Sequence, residues 1–98
     1  MSKSIISNER KCVVCGTTLD LHRHHVFYGV GNRPKAERWG CWVYLCARHH
    51  NMSDEGVHFN HELDLSLKKY VQTEFEKKYG HEKYMGIFGR NWLDDWSN

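Results

Sequence analysis

The stretch Leu45-Cys46-Ala47-Arg48-His49-His50-Asn51 sets two adjacent histidines shortly after a cysteine. The spacing Cys46-x-x-His49 lets both side chains turn toward one metal ion. A second pair, Cys12-x-x-Cys15, stands earlier and is followed by Gly16, which suits a tight turn whose amides face the thiolates. Together the pairs make a Cys₃His set, the donor set of a closed tetrahedral structural zinc site. Such an ion would tie the start of one strand to the end of the next. It would add on the order of 10 kcal/mol to folding. Cys41 has no partner at two-residue spacing and is left outside the site. His50 is also left over, one residue further round a helical turn, and needs another role.

The rest of the chain suits this reading. Its 98 residues suffice for one small domain, a size that gains from a staple. A content of 40% hydrophobic and 27% charged residues indicates a soluble globular chain. No apolar run approaches the ~20 residues of a membrane span. The N-terminal segment has only Ile5-Ile6 as an apolar pair, far short of a signal-peptide core. The expectation is a cytoplasmic protein with no membrane association. In that compartment four cysteines serve metal better than disulfides. No thioredoxin-like βαβ pattern surrounds Cys12, which argues against a redox pair. Eight histidines are present, seven of them between His22 and His61. Charge is uneven: residues 1–50 carry eight Lys/Arg against three acids, and residues 51–98 carry six against nine. The Cys/His-rich half is thus the basic half, and a polyanion such as nucleic acid is its natural partner.

Local patterns divide the chain into a polar tail over 1–8 and a single domain over 9–98. The run LDLHRHHVFY predicts a strand over 20–27. Residues 29–40 carry three glycines and the only proline, so they read as a loop with at most one helical turn at 35–38. CWVYLC predicts a strand over 41–46, with a helix or helical turn starting near Ala47 and a turn at 53–56. Leu63, Leu67, Val71, Phe75 and Tyr79 recur every four residues, which predicts an amphipathic helix over 62–79 stopped by Gly80. A second helix over 81–88 turns Tyr84, Ile87 and Phe88 inward, and Trp92 and Trp96 follow. This aromatic stripe reads as core. The fold class is α+β, a ββα core over about 12–58 with a helical extension over about 62–96. In the first strand, His24 and His25 must face opposite sides.

The order Cys-x-x-Cys, His-His-hydrophobic, hydrophobic-Leu-Cys-x-x-His-His and a later His resembles the HNH endonucleases, also called ββα-metal or His-Me finger nucleases. The resemblance covers residues 12–58, about half of the chain. More loosely, HHVFYGVGNR with LCARHHNMSDEGVHFN looks like small phage or prophage HNH proteins. The resemblance implies a zinc-stabilised ββα-metal finger that hydrolyses DNA phosphodiester bonds with a catalytic divalent cation (Mg²⁺, Mn²⁺, Ni²⁺ or Zn²⁺). It makes His25 the general base, an imidazole that titrates near neutrality. It makes His24, His50 and His58 the ligands of the catalytic ion.

The last ligand has an alternative. On an unbroken helix the eight residues from His50 to His58 advance ~12 Å. Either the chain turns back at 53–56, or Asp54, four residues after His50, is the ligand. The family's middle Asn, which holds the base in orientation, has Cys41 in its place; the available Asn is Asn32, in the glycine-rich loop. Arg33 and Arg48 are assigned to phosphate contact, which positions the backbone and carries no sequence code. Arg23, Lys35 and Arg38 lie near the proposed site in sequence. His22 lies near the site or on the strand surface, and His61 and His81 read as surface or helix-end residues. The alternative function is a non-catalytic zinc-stabilised nucleic-acid-binding module of phage origin. Oligomeric state is left open.

Overall fold

The computed structural model describes residues 3–27, 31–52 and 60–93. Strand β1 (Leu21–His25) pairs antiparallel with β2 (Trp42–Cys46), in a register that sets Leu21 against Cys46 and His25 against Trp42. Val26 donates to Cys41 and Ala47 to Asp20, extending the ladder at both ends. Alternation then places His22 and His24 on one face with Leu45 and Val43, and Arg23 and His25 on the other with Tyr44 and Trp42.

Helix α1 (Asn32–Trp39) connects the strands and is twice the length expected from the sequence. The glycines that suggested a loop are its caps. Gly31 and Gly40 both have positive φ, 82° and 75°, and Gly40 and Cys41 return their amides to the Ala36 carbonyl. Pro34 falls in the first turn, where its missing N–H costs nothing. Gly40 is also a crossing point. A Cβ there would strike the Lys3 carbonyl oxygen, and Ile5 donates to the Gly40 carbonyl. Ser4 and Ile5, within the segment expected to be a polar tail, therefore lie against the α1–β2 corner, and Ile6 packs on the core. Ser4 is buried and its hydroxyl donates to the Trp42 carbonyl at 2.6 Å.

After β2 the chain enters a π-helical turn (Arg48–Met52), then α2 (His61–Tyr79) and α3 (His81–Phe88). Asn60 caps α2 by accepting from the Leu63 amide, Glu62 and Asp64 suit its positive N-terminal end, and Lys77 and Lys78 its C-terminal end. Leu67, Val71 and Phe75 are buried as the four-residue recurrence requires; Leu63 is half-buried, and Tyr79 is 39% exposed while its ring packs on Phe75 and Trp39. Tyr84 and Phe88 of α3 close on Phe75 and on Phe27, just beyond β1, with ring centroids 4.7–6.0 Å apart. Trp39 at the end of α1 adds an edge contact to Phe75. This aromatic cluster fastens both helices to the sheet. Gln72 of α2 is fully buried, donating to Asn91 and Glu76 and accepting from the Trp92 amide. No helix among the described residues is long and apolar enough to cross a membrane.

Phe75 meets Trp39 of α1 and Tyr84 and Phe88 of α3, and is fully buried. Phe75→Ala is expected to cost about 3–5 kcal/mol, measured as a lower urea midpoint with an unchanged slope.

Candidate metal centre and adjoining histidines

The first cysteine pair lies in a turn in which Gly16 donates to the Cys12 carbonyl and Cys12 donates to the Thr17 carbonyl. Val13 donates to the Tyr44 carbonyl, which pins this turn to β2. Cys46 ends β2, and His49 follows in the π-helical turn. The four side chains meet, with ligand atoms all within 4.8 Å of one another. Cys15 and Cys46 sulfurs are 3.8 Å apart, and His49 Nδ1 is 3.3 Å from Cys46 Sγ and 3.8 Å from Cys12 Sγ. A tetrahedral zinc with Zn–S of about 2.3 Å and Zn–N of about 2.0–2.1 Å sets sulfurs about 3.8 Å apart and sulfur from nitrogen about 3.5 Å. The group therefore fits a metal ion of that geometry, and the sulfurs are too far apart for a disulfide.

Burial pushes the Cys12 thiol up, but the amides of Cys46, Cys15 and Val14, with the Cys15 thiol, pull it further down, to about 6. A thiolate is thus available at neutral pH, the form a metal requires. Cys46 is raised, first by burial and also by the neighbouring sulfurs. Cys41 lies outside the group, fully buried, its thiol pushed up to about 12 by burial. It is a core residue.

His50 diverges from His49. Consecutive residues of a helix point about 100° apart, and the wider π turn keeps them divergent. His49 faces the cysteines, while His50 Nδ1 lies 2.9 Å from His22 Nδ1. The ring of His24, buried on the same strand face as His22, is 5.3 Å from that of His50. The strand thus brings His24 and His50 together and adds His22, which the sequence reading left between site and surface. His58 and Asp54 lie outside the described residues.

His25 faces the other way, as alternation requires. Its Nε2 is 3.1 Å from Glu37 Oε1. Arg23 donates to both oxygens of Glu37 at 2.9 Å, and its guanidinium lies 3.7 Å over the Trp42 ring. Asn32 starts α1 and lines a small cavity with Phe27, Phe88 and Trp92. The group at the His25 ring is Glu37. Sequence reading missed it because Glu37 reaches β1 only if α1 is a helix. Arg33 and Arg48 are exposed, as are His61 and His81 at their helix starts, with His81 2.7 Å from Glu76.

Among the described residues, the Cys₃His set is the one group of three or more ligand atoms that converges this closely. No protein-family model, curated protein or solved structure matches the chain.

Proposed function

We propose that this chain is a metal-dependent DNA endonuclease or nickase of the HNH type, built on a ββα-metal finger whose Cys12, Cys15, Cys46 and His49 hold a structural zinc. The observation that carries the proposal is the divergence of His49 and His50. One joins the cysteine cluster, and the other turns to the two histidines on the inner face of β1. His24, His50 and His58 would hold a divalent cation, which, when bound, supplies charge stabilisation at the scissile phosphate and leaving oxygen. His25 removes the proton from the attacking water. Glu37 accepts from His25 Nε2–H, which leaves Nδ1 as the basic nitrogen. This tautomer follows from the hydrogen bond. Arg23 holds Glu37 in place by its paired contacts. Arg33 and Arg48 contact backbone phosphates from their exposed positions.

The test is plasmid nicking by zinc-loaded protein with Mg²⁺, Mn²⁺ or Ni²⁺, beside a His25→Ala control. Equal nicking by both proteins would remove His25 as the base. Glu37 has its own expected outcome as a positioning residue. Glu37→Ala should slow nicking by about 10–100-fold with zinc content unchanged, and Glu37→Gln, which keeps an acceptor, should recover part of the rate.

The second reading is a zinc-stabilised nucleic-acid-binding module without catalysis. The single convergent ligand group among the described residues favours it. It requires salt-sensitive DNA binding with no nicking under any of the three metals.

A further inference from the structure

We infer that His22 is a direct ligand of the divalent cation, binding it through Nδ1 together with His50 Nδ1. The inference rests on the nuclease reading for the presence of that cation and adds a residue the family resemblance does not supply. Two imidazole nitrogens in cis positions about 2.1 Å from an octahedral ion lie about 3.0 Å apart, and in a tetrahedral site about 3.4 Å. The Nδ1 atoms of His22 and His50 are 2.9 Å apart. The rings meet edge to face, at 87° with centroids 5.0 Å apart.

Each ring is placed by an independent constraint. His22 is held in β1 opposite Leu45, and His50 follows the ligand His49 by one residue. Filling the cysteine cluster would therefore fix the position of His50 as well. Both rings are half-buried, and the ring of buried His24 lies 5.3 Å from that of His50. An octahedral ion on these histidines keeps open positions for substrate. A proton shared between two neutral imidazoles gives the same nitrogen–nitrogen distance, and the experiment must separate the two.

Protein holding its first zinc and labelled with ¹⁵N in the histidine rings is titrated with further Zn²⁺ and followed by imidazole ¹⁵N resonances. The expected result is a saturable shift of Nδ1 in both His22 and His50, with Nε2 protonated in each. A shift at His50 with none at His22, or no saturable second binding, overturns the inference. In parallel, Ni²⁺ binding to the zinc-loaded protein is measured by calorimetry. His22→Ala should weaken it by about tenfold or more, and His22→Asp, which keeps a donor, should recover part. Affinity unchanged in His22→Ala also overturns it. Plasmid nicking with wild-type affinity in His22→Ala would leave the nuclease reading standing without this ligand. Binding through His22 with no nicking would leave this site standing without the nuclease.

Discussion

Cys46→Ser is expected to empty the metal cluster and unfold the domain. Cys46 links the cluster to the sheet: its sulfur lies 3.8 Å from Cys15 Sγ and 3.3 Å from His49 Nδ1, and it ends the strand paired with β1. Structural zinc contributes about 10–16 kcal/mol in apparent terms. Net stabilities of small domains are about 5–15 kcal/mol, so losing the ion removes most or all of the margin. Serine also leaves a poor ligand beside two cysteines and a buried histidine. The measurement is far-UV circular dichroism with metal analysis. Wild-type protein should hold one zinc and melt cooperatively; Cys46→Ser, or wild type stripped by chelator, should lose the transition. A zinc-free protein that melts at the same temperature would refute a structural metal.

His25→Ala should lower the nicking rate by about 10²–10⁴-fold, the usual contribution of a general base. It should do so without changing zinc content or melting temperature. His25 is half-buried, and its contact with a partly exposed Glu37 contributes little to folding. The core sits elsewhere, around Phe27, Phe75, Tyr84 and Phe88. The two variants therefore separate the functions of the two histidine-bearing regions: one should lose structure and the other only rate. Single-turnover nicking at saturating protein reads the effect on the chemical step.

How far the sequence shows these features depends on whether the cause is local. Metal-ligand spacing is local, and Cys12-x-x-Cys15 with Cys46-x-x-His49 names the group that converges. Helix α2 was legible because its apolar residues recur every four positions, and Gly80 does mark its end. Helix α1 is hidden in the sequence because Gly31, Pro34 and Gly40 suggest irregular chain when counted together. By position they are a start, a first turn and a stop. Glu37 was lost with that helix. His22 carried a signal, since alternation puts it on the face of His24, and its neighbour across space, His50, comes from a turn 28 residues away. Gln72 was not legible at all: its burial depends on Asn91 and Trp92 folding back over α2, which no periodicity announces.

The most direct test of the account is the separation of His49 from His50. In the cysteine-bound, zinc-loaded protein, His50→Ala is expected to keep its one zinc and its melting transition while losing nicking in added Mg²⁺, Mn²⁺ or Ni²⁺. His49→Ala is expected to lose the zinc and the fold together. If His50→Ala nicks plasmid at the wild-type rate, or loses its zinc as His49→Ala does, the two adjacent histidines do not divide a structural site from a catalytic one.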